Sequence, residues 1–339
     1  MSVILVFLTA LAVAAAATPL AGQLGRRLSI TDKPAGRRQH PGIVPRIGGV
    51  GLFAGFAVAA GMIQLGAPLQ NPDDALRIGG VLAGCAFVFA FGLLDDWRDL
   101  PPGPQLLAQL VAALIAIATT VFIERFTNPF NNRLVIMPLW LVAPVTVFWI
   151  AGMMNTVNWL DGLDGLAAGV GAIAALLFGV HMRSLGQHDV ALYAFALAGA
   201  CLGFLPFNFS PARVFLGSAG AMTIGYALAT LSILAPARVA TALLVLAVPI
   251  TDTAWQIVDR YRRRKSIFRG DRGHLHFRLV ELGWSPRVIV AIYWAFCAVF
   301  GTLSLLLTSR LYKLTALGFL AVVVGAMLAF LSRRQPQPD

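Results

Sequence analysis

Long apolar runs separated by short polar stretches dominate this sequence of 339 residues. Most runs come close to the roughly 20 apolar residues that a helix needs to cross a lipid bilayer. Little of the strict alternation expected for the strands of a membrane barrel is present, so the pattern favours helices. We predict about eleven spans, at residues 2–25, 48–66, 77–94, 105–123, 134–152, 164–181, 190–206, 217–234, 237–256, 288–308 and 314–331.

The composition agrees with a chain whose main solvent is lipid. Hydrophobic residues make up 58% of the sequence and charged residues 12%, about half of the roughly 25% that is typical of soluble domains. The predicted fold class is therefore all-α, a polytopic integral membrane protein. Residues 1–332 are expected to form a single membrane-embedded domain, and the polar residues 333–339 a disordered tail.

The basic residues predict an orientation in the membrane. A net charge of +11 would suggest nucleic-acid binding in a soluble protein. In a membrane protein it reflects the excess of Lys and Arg in cytoplasmic loops and attraction to membrane lipids, so no nucleic-acid partner is expected. With a periplasmic N-terminus, 19 of the 26 basic residues fall on the cytoplasmic side and the other 7 outside. The first helix is then uncleaved, the C-terminus is cytoplasmic, and the cytoplasmic loops are 26–47, 95–104, 153–163, 207–216 and 257–287.

One group of acids ends the third predicted span, in the segment FGLLDDWRDL. Asp95 and Asp96 are adjacent, and Asp99 would share their face if the helix continued for one turn. A solvated helix end is the simpler explanation. Acids at a helix C-terminus oppose the macrodipole, however, and this face of the membrane favours cations. These carboxylates are therefore candidates for a functional site.

A second polar group, NTVNWLDGLDG at 155–165, lies between two apolar runs. Asn155, Asn158, Asp161 and Asp164 are three residues apart and would form one polar stripe on a helix. An ordinary polar loop between two spans is the alternative. Acids at the membrane edge mark functional sites more often than plain loops, so we interpret this segment as part of a site.

A third segment combines polar residues with a run of small ones. Asn208 and Arg213 precede Gly217–Gly220. A small-residue run at a helix start exposes backbone N–H groups that suit a phosphate. Small residues also serve helix packing in membranes, so on its own this signal is weak.

The late basic loop 257–287 contains two different signals. The run Arg260–Lys265 is best explained as an orientation signal and headgroup anchor. The following GDRGHLH places Arg272, His274 and His276 close together, with a histidine spacing that is poor for a helical metal site. Donors for a diphosphate fit these residues better.

Together, the carboxylates and the basic, glycine-rich loops lie on one face of a lipid-embedded body. Carboxylate oxygens are ligands for Mg²⁺, and arginines and backbone amides bind phosphate. This combination suits phosphoryl transfer, in which catalysis is mainly positioning and charge neutralisation. One substrate would be a cytosolic nucleotide-linked molecule and the other a lipid phosphate.

These motifs resemble those of a known family. The segments DDWRD, NTVNWLDGLDG, PARVFLGSAG, PITDT and DRGHLHFRL occur in this order, as they do in the polyprenyl-phosphate N-acetylhexosamine-1-phosphate transferases. The resemblance implies ten or eleven helices in the bacterial cytoplasmic (inner) membrane with an active site facing the cytoplasm. It also implies transfer of a sugar-1-phosphate from a UDP-HexNAc to undecaprenyl phosphate with release of UMP. The late loop is more similar to the UDP-GlcNAc-type enzymes than to the phospho-MurNAc-pentapeptide translocase.

The resemblance also assigns roles to residues of this chain. The implied catalytic residues are Asp95, Asp96, Asp161 and Asp164. The implied ligands of Mg²⁺, with Mn²⁺ as a substitute, are Asp96, Asp161 and Asp164, with Ser218 or Asp252 as further candidates. The implied substrate-binding residues are Asn155, Asn158, Arg272, His274, His276, Arg213 and Asn208. Whether the protein forms a homodimer stays open.

Three positions depart from the family pattern. Ser218 stands where an aspartate important for the metal is usual, Gln105 replaces a frequent lysine, and Phe277 replaces a third histidine. The loss of an acid at Ser218 leaves a catalytically impaired or regulatory relative as the main alternative. A secondary transporter is disfavoured, because the acids cluster at one face rather than at the membrane midplane.

Overall fold

The structure is a computed structural model that describes residues 1–32, 42–234, 238–264, 273–307 and 309–334. Within these ranges the chain forms thirteen α-helices: α1 Val3–Arg27, α2 Gly48–Gly66, α3 Pro72–Arg98, α4 Pro102–Ala118, α5 Leu139–Leu160, α6 Leu166–Ser184, α7 His188–Asn208, α8 Gly217–Ile233, α9 Arg238–Val245, α10 Ala247–Arg262, α11 Leu275–Glu281, α12 Pro286–Leu306 and α13 Arg310–Arg334. Two short antiparallel sheets, absent from the sequence prediction, pair β1 Thr31–Asp32 with β2 Val44–Pro45 and β3 Arg125–Thr127 with β4 Leu134–Ile136.

Eight of the described helices are long and apolar enough to cross a membrane, and there are nine if α9 and α10 count as one bent span. This confirms an all-α, multi-pass membrane protein, whereas the count of eleven spans and the orientation stay predictions. α4 and α8 have only 17 residues each. α8 is buried from Ala219 to Ser232, so it is surrounded by protein rather than by lipid.

The predicted span 237–256 is broken, because α9 and α10 meet at an angle of 82°. Pro249 lies in the first turn of α10. Proline lacks the N–H that would continue the helix and clashes with the preceding turn, so Pro249 disfavours one continuous helix over 237–256.

Several predicted loops are shorter than expected because helices extend into them. α3 continues to Arg98 and carries Asp95 and Asp96 in its last turns, and Asp99 ends it with a left-handed φ of 47°. The predicted span 134–152 is displaced, because α5 runs over Leu139–Leu160 and carries both asparagines of the polar stripe. The stripe therefore does not continue to Asp164, which lies in the following turn.

Candidate active site

The site is built around the start of α8, where three other parts of the chain meet it. The segment 44–49 before α2 is joined to the residues before α8 by backbone hydrogen bonds, Phe215 N–H to the Pro45 carbonyl (2.8 Å) and Gly49 N–H to the Leu216 carbonyl (2.8 Å). The backbones approach closely, since a Cβ on Gly49 would lie 2.3 Å from the nitrogen of Gly220. This packing fixes the start of α8 beside the ends of α3 and α5.

Asp96 is bound by the N-terminus of α8. Its Oδ1 accepts the Ser218 N–H at 2.7 Å and its Oδ2 accepts the Ala219 N–H at 3.0 Å. The carboxylate is buried and benefits from the positive end of the helix dipole. The sequence-based idea that these N–H groups receive a phosphate is therefore wrong for Ser218 and Ala219, since a carboxylate of the chain itself occupies them.

Arg46 also contacts the acids, a role that the sequence analysis missed. Its Nη1 donates to Asp99 Oδ1 at 2.7 Å, and its Nη2 lies 3.8 Å from Asp96 Oδ1. The basic loop that contains Arg46 gave no signal beyond membrane orientation. Only its pairing with residues some fifty positions away reveals the contact.

Asp161 and Asp164 complete this acidic cluster, defined here as Asp96, Asp161 and Asp164. Burial, together with the charges of Asp96 and Asp164, raises the pKa of Asp161 well above its usual range, while Arg46 and the Gly217 N–H act in the opposite direction. Asp164 accepts the Ala212 N–H at 2.9 Å, which ties it to the segment before α8. The raised pKa means that the groups of the chain do not fully stabilise the ionised form of Asp161.

Asp95, unlike Asp96, is bonded to residues at the connection between α3 and α4. Its Oδ1 accepts the Leu100 N–H and the Gln105 Nε2, both at 3.0 Å. These bonds close the short connection between α3 and α4. Gln105, one of the departures from the family pattern, thus lies beside the predicted catalytic pair, where it supplies a neutral donor.

Of three predicted substrate-binding asparagines, two have side chains that hydrogen-bond to other described residues of the chain and one does not. Asn155 exchanges two hydrogen bonds with the buried Gln109 of α4, at 2.8 and 3.0 Å. Asn208 accepts the Gly165 N–H at 3.0 Å and donates to the Val214 carbonyl at 3.1 Å. Both side chains therefore brace the walls of the site. Asn158 is half-buried, and its side chain makes no hydrogen bond to the described part of the chain.

No side-chain contact with the acidic cluster is described for the two predicted substrate-binding arginines, Arg213 and Arg272. The side chain of Arg213 is exposed at the segment before α8, and its backbone N–H bonds to the Phe207 carbonyl at 2.8 Å. Arg272 lies outside the described residues, so its predicted role stays a prediction.

A second group, the histidine cluster, comprises Trp159, Asp252, Arg260, His274 and His276. His274 Nδ1 lies 3.0 Å from Asp252 Oδ2, and Asp252 Oδ1 accepts the Leu275 N–H at 3.0 Å. The ring of Trp159 lies beside His274, with 5.6 Å between centroids, and the guanidinium of Arg260 lies over the same ring at 5.6 Å from its centroid. Asp252, a candidate metal ligand from the sequence, thus has both oxygens engaged in positioning His274 and starting α11.

His276 is the most enclosed member of this cluster. It is fully buried, and neither ring nitrogen has a hydrogen-bond partner among the described residues. Burial lowers the pKa of His276 to about 3, so the ring is neutral at physiological pH. A Cβ on Gly162 would lie 2.5 Å from His276 Nε2. The turn 161–165 therefore contacts the histidine cluster on one side and supplies two acids to the acidic cluster on the other.

The acidic cluster has the donor chemistry of a hard divalent cation. It offers only carboxylate oxygens, and the chain alone does not fully stabilise the ionised form of Asp161, so a bound cation such as Mg²⁺ fits the site. In the described ranges, no three His, Cys, Asp or Glu side chains already form a metal-binding group. Mg²⁺ commonly uses one or two carboxylates and takes its other ligands from water and substrate phosphates, so the residues present fit the ion.

Comparison with known proteins gives a consistent set of relatives. The sequence profile described as Glycosyl transferase family 4 matches residues 78–236, a range that contains the whole acidic cluster. The chain is 30% identical over 313 residues to the probable undecaprenyl-phosphate N-acetylglucosaminyl 1-phosphate transferase of Bacillus subtilis, covering 91% of this chain and 85% of that protein.

Two other relatives are similarly close. Decaprenyl-phosphate N-acetylglucosaminephosphotransferase of Mycobacterium tuberculosis is 33% identical over 360 residues, with 97% of this chain and 89% of the relative covered. Phospho-N-acetylmuramoyl-pentapeptide-transferase of Desulforudis audaxviator is 32% identical over 324 residues, with 88% and 95% covered.

Proposed function

Since this chain belongs to glycosyl transferase family 4, as its motifs predicted, we propose that it is a membrane-bound polyprenyl-phosphate HexNAc-1-phosphate transferase. The observation that carries this proposal is the gathering of Asp96, Asp161 and Asp164 at one end of a bundle of membrane helices. The names of the relatives support a polyprenyl phosphate as the acceptor. A UDP-HexNAc is the donor.

The proposed reaction moves one phosphoryl group with its sugar. An oxygen of the polyprenyl phosphate attacks the β-phosphorus of the UDP-HexNAc, and the bond from that phosphorus to the bridging oxygen breaks. The electron pair leaves with the α-phosphate as UMP, and the lipid keeps a diphosphate that carries the sugar. The lipid phosphate is largely ionised near pH 7, so no aspartate has to remove its proton.

The chain's own groups would position these anions. Asp96, Asp161 and Asp164 would hold Mg²⁺, which supplies charge neutralisation to the phosphates when it is bound. Asp96 is kept in place by two backbone N–H groups, so its carboxylate is preorganised. Since the reaction is mainly a problem of positioning and electrostatics, fixed carboxylates and a fixed cation are the features that matter most.

The histidine cluster is proposed to hold the nucleotide-sugar diphosphate. The two unpartnered ring nitrogens of His276 support this, because buried polar atoms normally have a partner. Asp252 orients His274. Arg272, which lies outside the described residues, is proposed to add a charged donor to the diphosphate.

GlcNAc is the proposed sugar. The names of the Bacillus and Mycobacterium relatives support it, as does the HLH sequence of the late loop. The relative that acts on a muramoyl pentapeptide is about as identical, 32% against 33%, so overall identity does not decide the donor.

The cytoplasmic membrane is the proposed location, with the active site facing the cytoplasm and UMP released there. The excess of basic residues in the predicted cytoplasmic loops supports the orientation. The transfer would begin the synthesis of a cell-envelope polysaccharide on its lipid carrier.

The test is UMP release by the purified protein. UDP-GlcNAc, UDP-GalNAc and UDP-MurNAc-pentapeptide would each be supplied with and without undecaprenyl phosphate and with and without Mg²⁺ or Mn²⁺. We expect UMP from UDP-GlcNAc only when both lipid phosphate and divalent cation are present. No UMP from any donor would contradict the proposal and favour the impaired relative that Ser218 suggests.

A further inference from the structure

Arg46 is rigidly placed against the start of α8. Its backbone N–H donates to the Ile30 carbonyl at 3.1 Å, and the neighbouring Pro45 carbonyl accepts the Phe215 N–H. The Arg46 carbonyl comes so close to α8 that a Cβ on Gly217 would lie 2.2 Å from it. Gly217 has a φ of 72°, which glycine adopts readily and other residues rarely do. The position of Arg46 is therefore built into the packing of the chain.

The side chain of Arg46 faces carboxylates from three parts of the chain. Its Nη1 is bonded to Asp99, whereas its Nη2 is turned toward Asp96 at 3.8 Å. Asp32 and Asp161 are also near enough to act on its charge. Only 16% of the side chain is exposed, so the planar, permanently charged guanidinium is held in one orientation.

The ion pair between Arg46 and Asp99 adds little stability. Asp99 is 67% exposed, and ion pairs to exposed acids contribute only about 0–1 kcal/mol. The bond to Asp99 instead fixes the plane of the guanidinium, so that its second edge faces Asp96. The chain also has Ser218 beside Asp96, in a position where an acid would attract a divalent cation more strongly.

We infer that Arg46 is a positioning residue of the transfer reaction, a fixed cation that orients Asp96 and sets how strongly the acidic cluster binds a divalent cation. This inference rests on the proposed function for its kinetic consequences. Its electrostatic consequence, the change in cation affinity, is independent of turnover. Removal of a positive charge beside Asp96 and Asp161 increases the attraction of the acidic cluster for Mg²⁺. Loss of the guanidinium also removes one of the three groups that orient Asp96, the other two being the Ser218 and Ala219 N–H groups.

The experiment is an Mg²⁺ titration of the full-length protein with two readouts, thermal unfolding and UMP release. In Arg46→Gln we expect the Mg²⁺ concentration for half-maximal stabilisation to fall about fivefold and kcat to fall at least about tenfold. Arg46→Lys should restore the Mg²⁺ midpoint, because the charge returns. It should restore kcat only in part, because an ammonium lacks the planar fork.

Arg77→Gln is the matched control, since Arg77 pairs with Asp74 near the opposite end of α3. It should leave both readouts within about twofold of the unsubstituted protein. An Mg²⁺ midpoint for Arg46→Gln that equals that of the control would overturn the inference, whatever happens to activity. If Arg46→Gln does not fold, Arg46→Lys decides, because only a residue that acts through its fork loses kcat while keeping its Mg²⁺ midpoint. Absence of UMP release by the unsubstituted protein would contradict the proposed function. The Mg²⁺ midpoints from thermal unfolding would still test the effect of Arg46 on cation affinity.

Discussion

The acidic cluster and the histidine cluster lie on two sides of the turn 161–165. They differ in how far the carboxylates in each are stabilised by neighbouring groups. In the acidic cluster, carboxylates accept backbone N–H groups from the α8 region and face one arginine, yet the pKa of Asp161 remains raised. In the histidine cluster, the one carboxylate, Asp252, is matched by His274 and the Leu275 N–H, and His276 is neutral and buried.

The difference indicates two tasks. A cluster of buried carboxylates whose ionised form the chain does not fully stabilise is suited to take up a cation together with its phosphate ligands. A cluster that is dehydrated, neutral at its centre and held by aromatic contacts is suited to orient a bound group and exclude water. If this division is right, substitutions in the acidic cluster should change kcat and metal dependence. Substitutions in the histidine cluster should mainly change the KM for the nucleotide sugar.

The largest effect is expected for Asp96→Asn. The amide keeps the shape of the carboxylate but loses its charge, and its nitrogen cannot accept the second N–H from α8. We expect kcat for UMP release to fall about 100- to 1,000-fold with a small change in KM. Asp74→Asn is the control on the same helix, about 33 Å away along the axis, and should retain full activity. A KM effect larger than the kcat effect would contradict the division of tasks.

The next effect is expected for Asp252→Asn. An amide facing His274 Nδ1 favours the opposite tautomer of the ring and weakens its orientation. An unsatisfied buried donor costs about 1–3 kcal/mol, so the KM for the UDP-sugar should rise about tenfold while the Mg²⁺ midpoint stays unchanged. Asp259→Asn is the control, because Asp259 lies two turns along α10 and pairs with Arg263 at the surface. A shifted Mg²⁺ midpoint in Asp252→Asn would instead support Asp252 as a metal ligand.

Replacement of Ser218 should produce an intermediate change. Ser218→Asp places a carboxylate beside Asp96 at the start of α8, where an acid is compatible with the helix dipole. We expect the Mg²⁺ midpoint measured by thermal unfolding to fall about tenfold, because ligand charge sets the affinity of such sites. Ser218→Asn, of the same size without charge, is the control. Equal midpoints for the two variants would show that position 218 lies outside the metal site.

The smallest effect concerns stability and pH. The raised pKa of Asp161 means that the folded protein holds this proton more tightly than the unfolded chain. The metal-free protein should therefore lose stability as the pH rises from about 4 through the raised pKa. Asp161→Asn should remove this loss and raise the metal-free Tm at pH 8 by about 2–4 °C. Thermal unfolding in EDTA between pH 5 and 8 measures both, and parallel curves for the two proteins would contradict the charge assignment.

Features that depend on a local sequence pattern were predictable from the sequence. Apolar runs gave most membrane helices, and Asp96, Asp161 and Asp164 were conspicuous because acids are costly beside such runs. Partners distant in the chain were not predictable in this way. Asp96 and Ser218 are 122 positions apart, and the role of Arg46 was hidden in a basic loop that topology alone explained. The packing of α8 against α3 and against segment 44–49 brings them together.

The internal hydrogen-bond partners of polar residues were also not predictable from the sequence, for a physical reason. Asn155 resembles a ligand-binding residue in the sequence, yet its amide pairs with Gln109 of α4 across 46 positions. Inside a membrane bundle a polar side chain has to find a partner, and an internal pair satisfies it as well as a ligand does. Sequence pattern identifies such residues without deciding between the two.

The central claim is that the protein transfers a sugar with its β-phosphate to a lipid phosphate. The direct measurement uses UDP-GlcNAc labelled with ³²P at the β-phosphorus, undecaprenyl phosphate, Mg²⁺ and the purified protein, with extraction of the lipid phase. We predict that the label enters the lipid in a one-to-one ratio with released UMP, and that Asp96→Asn abolishes this. Label that stays in the aqueous phase, either in unreacted donor or in released UDP, would contradict the account.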